Sequence, residues 1–253
     1  MAPHIVGIVQ ARMGSTRLPG KTLIDICGRP FLHHILSRMQ WSRNLENLVV
    51  ATTTQREDDS ISALCHGLNI ACFRGSEIDV LDRYYQCAKA HNADIIVRIT
   101  ADDPFKDPEV ADMIIEEILQ DDELDYVSNT IHPTYPEGLD IEVFRFRALE
   151  KAWQVATSAL DREHVTPFIW LHPNLFRLKN IEYRKNLSHM RWTLDTPDDL
   201  VMTRAVYKEL YKEGSLFLMK DVLDLMEKHP EIEGLNANVE RFSGHKKIIQ
   251  EEG

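Results

Sequence analysis

Residues 5–21 read IVGIVQARMGSTRLPGK. Positions 5–9 form an apolar run, and 5–10 reads as a β-strand. Positions 11–21 hold Arg12, Arg17 and Lys21 with Gly14 and Gly20 among them, and the first acidic residue of the chain is Asp25. A strand that runs into a basic, glycine-containing loop is the opening expected of a doubly wound sheet, whose ligands bind beyond the carboxyl ends of the strands.

The same alternation continues outward from that loop. Strands are predicted at 48–52, 70–73 and 94–99, and helical spacing of apolar residues at 31–40, 57–67 and 78–91. The first hundred residues therefore read as βαβ units of an α/β, mostly parallel, Rossmann-like sheet. Asp107-Pro108 supplies a cap and a first-turn proline for a helix ending near Leu119, and Thr196-Pro197-Asp198-Asp199 opens another in capping-box form. Between 126 and 183 the alternation gives way to short strands and two helices, near 147–156 and 161–171. This region reads as an insertion that covers the sheet edge within a single domain spanning 1–253.

Composition narrows the function. The chain has 253 residues, 43% of them hydrophobic, and a formal charge of −11. That balance opposes broad binding to nucleic acid or to anionic membranes, both of which need positive potential. Neither a membrane-length apolar stretch nor a signal-peptide pattern is visible, so a cytoplasmic protein is expected. Cys27, Cys65, Cys72 and Cys87 lack metal-ligand spacing and read as reduced thiols of the core. The scattered histidines, with His33 and His34 adjacent, make a zinc site a poor expectation.

A local basic loop in an acidic chain points to a small anion. Its glycines permit close backbone approach, Ser15 and Thr16 offer hydroxyls, and the cations suit phosphate oxygens, so a triphosphate satisfies the whole set. The competing reading is a solvated basic loop. The stretch is not a P-loop, because Gly14 to Gly20 is one residue too long for GxxxxGK[ST], and it lacks the GxGxxG of dinucleotide folds.

Residues 8–21, IVQARMGSTRLPGK, resemble the N-terminal motif of the cytidylyltransferases that activate acidic sugars, such as CMP-Kdo and CMP-sialic acid synthetases. Within that superfamily the chain is most similar to the spore coat polysaccharide biosynthesis protein F group. The likeness extends through FRGSEIDVLDRY (73–84), VRITADDPFKDP (97–108), YPEGLDIEVF (135–144), REHVT (162–166) and RWTLDTPDDL (191–200). It implies a nucleotidyltransferase fold and transfer of a nucleoside monophosphate from a nucleoside triphosphate to a sugar hydroxyl, with release of pyrophosphate, in surface polysaccharide synthesis. CTP is the expected donor, and guanine is left open.

The resemblance also implies roles. Ala11, Arg12, Ser15, Arg17, Lys21 and Ala101 would contact the nucleotide, with Arg12, Lys21 and Asp102 catalytic. Asp102 matches the metal-binding aspartate of a GD-x-P motif, here with Ala101 in place of glycine, and Asp195 would be the second ligand to Mg²⁺ or Mn²⁺. Asp103 reads as a turn residue before proline. Arg74, Glu137, Asp140, Glu142, Arg162 and His164 are candidate contacts to the sugar. Of these, the cations and His164 favour an anionic acceptor and the acids favour hydroxyls. The plainer alternative puts Arg162 on a surface helix, and Asp140 and Glu142 together on one solvated strand face.

A homodimer is expected through the 126–183 region, which carries Tyr135, Phe144, Phe146, Trp153, Phe168 and Trp170. Two rival classes are a glycosyltransferase with a nucleotide-sugar donor and a non-catalytic nucleotide-binding protein. Against the first, Asp102-Asp103 is not a separated aspartate pair. Against the second, every catalytic part has a candidate residue.

Overall fold

In the computed structural model, which describes residues 2–239, Ile5–Gln10 forms β1, an interior strand of the seven-stranded sheet. Its residues alternate between two cores: Val9 joins one with Val50, Val97 and Ile99, while Val6 and Ile8 join the other with Val49, Ala51 and Ile96. Burial on both faces explains why the strand reads as an unbroken apolar run.

The basic loop leads through a single 3₁₀ turn, Lys21–Leu23, to the small hairpin β2 (Asp25–Ile26) and β3 (Arg29–Pro30), then to α1 (Phe31–Met39) and β4 (Asn47–Thr53). Next come α2 (Asp59–Gly67), β5 (Ala71–Gly75), α3 (Val80–Ala90), β6 (Ile95–Thr100) and α4 (Pro108–Gln120). The four strands β5, β4, β1 and β6 are neighbours in that order and all parallel. The chain thus winds one way from β1 to β5 and returns to β1's other side at β6. The switch point lies between β1 and β6, and the loops that follow them, 11–20 and 101–107, face each other there.

The 126–183 region departs from expectation. It does not cover the sheet edge but extends it, through β7 (Tyr126–Ser128), β8 (Glu142–Arg145) and β9 (Leu178–Asn180), in the order β6-β8-β7-β9. β8 runs antiparallel to both β6 and β7. Helices α5 (Phe146–Val155), α6 (Ala159–His164) and α7 (Pro167–Trp170) pack on one face. The helix expected at 161–171 is two pieces, because Val165 takes φ 75° and Pro167 starts a new turn. Phe144 and Phe168 are buried in that face's core, with Phe146, Trp153 and Trp170 packed against it, and Tyr135 lies in the opposite core. These aromatics fill the chain's own interior, so they lend no support to a dimer.

The C-terminal part supplies α8 (Pro197–Leu210), α9 (Met219–Lys228) and α10 (Pro230–Glu233), followed by a 3₁₀ turn at Gly234–Asn236. Thr196 and Asp199 form the expected capping box on α8. No described helix is long and apolar enough to cross a membrane.

Candidate active site

The basic loop is held from below. Asp58, wholly buried, accepts from Met13 N–H at 2.7 Å and from the Thr53 hydroxyl, and Thr22 Oγ1 donates to the Arg12 carbonyl at 2.7 Å. Gly20, at φ 71°, turns the chain so that Lys21 enters the 3₁₀ turn facing inward. Arg12 and Arg17 stay exposed at the rim.

Across the switch point, backbone bonds gather three distant segments. Leu194 N–H donates to the Asp102 carbonyl and Trp192 N–H to the Glu137 carbonyl, each at 2.7 Å. Gly138 sits at φ 103°, and a Cβ there would lie 2.3 Å from the Trp192 carbonyl oxygen, so only glycine allows this approach. Asp102 and Asp195 are thereby brought to one ammonium: Lys21 Nζ lies 2.7 Å from Asp195 Oδ1 and 3.4 Å from Asp102 Oδ2. Arg17 adds a contact to Asp195 at 3.1 Å. Burial lowers the Lys21 pKa, but Asp102 and Asp195 outweigh it and the net shift is upward. Burial likewise pushes the Asp102 carboxyl up, yet Lys21 and then Lys106 hold it below its ordinary value. Both groups are charged at neutral pH.

Two clefts meet here. One is lined by Ala11, Arg12 and residues 14–17 of the loop, with Lys21, Ala101, Asp102 and Asp195. The other, of about 700 Å³, shares Gln10, Arg12, Arg17, Thr100 and Asp102 with it and runs on past Arg83 and Arg98 to Glu163 and His164. The structure therefore joins Ala11, Arg12, Ser15, Arg17, Lys21, Ala101, Asp102, Asp195 and His164 around one continuous space. The N–H groups of Ala11 and Ala101 are already given to Ala51 and Gln10 carbonyls, so these two residues line the space without offering their own donors.

The remaining sugar-site candidates are placed elsewhere. Arg74 donates to the Thr53 and Gln55 carbonyls and pairs with Asp59. Arg162 forks onto Asp79, the N-cap of α3, and reaches the Trp153 carbonyl. Glu137 is paired with buried Arg191 at 3.1 Å. Asp140 lies beside buried Lys106, whose ammonium donates to its carbonyl. Burial, with Glu137, Glu142 and Asp102 nearby, raises its carboxyl to about 6 against the pull of Lys106. The turn residue Asp103 is likewise buried, bonded to the Thr100 hydroxyl and paired with Lys106 at 2.8 Å.

Glu142 is not on a solvated face. It is buried where β8 lies between β6 and β7, and it binds Arg98, Tyr126 Oη at 2.7 Å and Thr166 Oγ1. Burial raises its pKa, but Arg98 and then the Thr166 and Tyr126 bonds bring it below the ordinary value. Its stabilisation is thus fully present above the unfolded value of ~4.3 and lost as pH falls through the folded one. Glu142→Gln is expected to destabilise the fold by about 3–5 kcal/mol at pH 7, because Arg98 is left buried without its counter-charge. The difference from the parent should hold between pH 7 and about pH 4.5 and shrink only below that, as the pH falls through the folded value, and urea unfolding at pH 7 and at about pH 3 will show it.

The Gly- and cation-bearing loop, the parallel switch point and the paired carboxylates converge with the outcome of comparison with known proteins. The family model described as cytidylyltransferase matches residues 6–234. The chain belongs to the cytidylyltransferase family. It is 41% identical over 243 residues to an uncharacterized protein of Methanocaldococcus jannaschii, covering 94% of this chain and 97% of that one. It is 33% identical over 238 residues to the spore coat polysaccharide biosynthesis protein SpsF of Bacillus subtilis, covering 90% and 95%. Among solved structures, a cytidylyltransferase from Leptospira borgpetersenii superposes with a TM-score of 0.87 at 31% identity, over 91% of this chain and 96% of that one.

Several parts of this cytidylyltransferase escaped sequence reading. Asp58 sits in a polar run, REDDS (56–60), that reads as an ordinary helix start. Arg191 opens the RWTLDTPDDL motif, but nothing in the motif announces that it is buried against Glu137, Asp195 and Asp199. Gln10, Thr22, Thr100, Arg83 and Arg98 line the clefts, and only their places at the ends of strands β1 and β6 could have singled out Gln10 and Thr100.

Proposed function

We propose that this cytidylyltransferase binds CTP in the cleft under the basic loop and transfers its CMP moiety to a sugar hydroxyl, for surface polysaccharide synthesis. The observation that carries the reading is the ammonium of Lys21 shared between Asp102 and Asp195 at the floor of an acid-free basic loop. The name of the Bacillus subtilis relative, a spore coat polysaccharide biosynthesis protein, supports the pathway.

The chemistry follows from the charges. The hydroxyl oxygen forms a bond to the α-phosphorus, the bond to the bridging oxygen breaks, pyrophosphate leaves, and the hydroxyl proton passes to solvent. Arg12, Arg17 and Lys21 stabilise negative charge gathering on the phosphate oxygens and hold the reacting groups in line. No side chain is assigned as general base.

Asp102 and Asp195 fit a divalent cation. Both offer carboxylate oxygens, and Lys21 demonstrates that one positive centre reaches both. Among the described residues no group of three or more His, Cys, Asp or Glu makes a full cage. A hard, oxygen-seeking ion such as Mg²⁺ or Mn²⁺ completed by phosphate oxygens and water suits such a pair. When bound, it would neutralise the α-phosphate and acidify the attacking hydroxyl.

The test follows α-labelled CTP with candidate sugars. Label in a sugar nucleotide together with pyrophosphate supports the reading. Intact CTP with consumption of an added nucleotide sugar indicates the glycosyltransferase alternative. In the same assay Lys21→Met is expected to lower kcat/KM for CTP by ~1.5–3 kcal/mol, the range for a bond to a charged group. Unchanged kinetics would remove Lys21 from the site. The homodimer belongs to this proposal on the family resemblance alone, and light scattering reads it directly.

A further inference from the structure

Arg38 stands in the last turn of α1 and is 6% exposed. Its bonds go to the backbone rather than to a carboxylate: Nε donates to the Lys106 carbonyl at 2.8 Å, and Nη2 to the Phe217 and Phe105 carbonyls at 2.7 and 3.5 Å. Nη1 makes no hydrogen bond among the described residues, and it is not one of the side-chain nitrogens closed off from the surface. Asp107 and Asp221, the acids whose charge reaches the guanidinium, direct oxygens to the Met219 and Leu218 N–H groups instead.

The surface that Arg38 keeps belongs to a third cleft, of about 250 Å³, between α1, α8 and the segment 213–217. It shares no lining residue with the two clefts that meet at Asp102. The rings of His33, His34, Trp41, Tyr207, Tyr211 and Phe217 line it. His34 meets Tyr207 and Tyr211 edge-on at 4.6 and 4.9 Å, and the Arg38 guanidinium lies 4.2 Å from the centre of the Phe217 ring. Burial holds both histidines below their ordinary pKa, so they are neutral at pH 7, and Glu213 is paired with exposed Arg29. Arg38 is therefore the uncancelled charge of this cleft. A buried cation without a counter-charge is costly; the carbonyls and the ring face offset part of that, and an anion would complete it.

We infer that this cleft is a binding site for a small aromatic carboxylate, with the ligand's ring among the aromatic side chains and its carboxylate on the Arg38 guanidinium. The cavity is smaller than the ~300–1,000 Å³ that hold drug-sized ligands, so one ring with its acid group is the matching scale. Ring packing supplies the apolar contact, and the guanidinium supplies a charge-assisted bond. The site does not depend on the nucleotide reading, yet it adjoins the segment that follows Asp102. Arg38 holds the Phe105 and Lys106 carbonyls, and Tyr207 Oη donates to the Pro104 carbonyl at 2.8 Å, so a ligand here touches the side chains that fix that segment.

The experiment is titration calorimetry of the full-length protein with three probes: benzoate, benzyl alcohol, which keeps the ring without the charge, and acetate, which keeps the charge without the ring. The parent should bind benzoate about tenfold or more tighter than either of the others, a difference in keeping with a bond to a charged group. Arg38→Met should bind benzoate no better than benzyl alcohol. Ser37→Phe, which fills the cleft from α1 and removes none of the bonds of Arg38, should lose benzoate binding altogether. A cooperative thermal transition in each variant controls for folding, and should Arg38→Met fail to fold, Ser37→Phe decides alone. Excess CTP should leave the affinity for benzoate unchanged. Three results overturn the assignment: no preference for benzoate in the parent, benzoate binding that survives Ser37→Phe or a preference that survives Arg38→Met, or displacement of benzoate by CTP, which would put the acid on the basic loop instead.

Discussion

Asp102→Asn is expected to lower cytidylyl transfer by about 10³-fold, the scale on which removal of one preorganised electrostatic group acts. The amide keeps the shape and the backbone bond from Leu194 but can no longer bind a cation as a carboxylate does. It also leaves Lys21 with Asp195 as its remaining carboxylate partner, so the ammonium is drawn towards that side of the cleft. Because Asp102 is half-buried at a strand end and not in either core, the thermal midpoint should move little. The measurement is pyrophosphate release from CTP with and without excess chelator. Loss of activity on chelation, restored by Mg²⁺ or Mn²⁺, would place the metal with these carboxylates. Full activity in chelator, or a near-normal rate for Asp102→Asn, would remove the metal role from Asp102.

Arg191→Met should be the most destabilising change near the site. The guanidinium is buried and contacts Glu137 at 3.1 Å, Asp195 at 3.4 Å and Asp199 at 3.0 Å. Burial raises the Asp199 pKa, but the bonds from Arg191 and Asn236 more than reverse this, so the carboxylate stays charged inside the protein. Removing the arginine leaves several negative groups together without their counter-charge, a loss of about 3–5 kcal/mol. Urea unfolding at pH 7 reads it. The change should also impair turnover in whatever fraction stays folded, because Asp195 loses one of the cations that orient it. A variant as stable as the parent would show that the carboxylates find other partners.

Sequence alone disclosed the parts of the site whose chemistry is local. Arg12, Ser15, Arg17 and Lys21 lie in one loop, and an acid-free basic stretch after a strand has few other uses. Asp102 was legible from the motif that follows β6 and Asp195 from RWTLDTPDDL, although no strand runs into Asp195 and only the backbone bonds from Leu194 and Trp192 explain how the two meet. The acceptor side was misread because a motif fixes residue types and not directions. Arg74 and Arg162 look like substrate cations until the Thr53 carbonyl and Asp79 are seen to hold them. Glu142 looked solvated because its burial depends on β8 entering between β6 and β7, a pairing that no spacing within 126–183 encodes. Arg38 passed unnoticed for the opposite reason: within ILSRMQ it resembles any polar residue on a helix, and its burial without a counter-charge is visible only in three dimensions.

The bonds from Asn236 to the Arg191 carbonyl at 3.1 Å and to Asp199 at 2.9 Å bear on how the enzyme comes into being. Lys21 emerges early in synthesis, yet Asp195 lies 174 positions later and the latch on its helix cap later still. Closing contacts so far apart in sequence is slow, and a growing chain folds from its beginning. The basic loop and its first strands can therefore be in place well before the pocket can do chemistry. The Arg191–Asp199 pair receives its last bonds only when the turn at Asn236 docks, so a chain cut short before Asn236 is expected to carry the nucleotide loop with that pair unlatched.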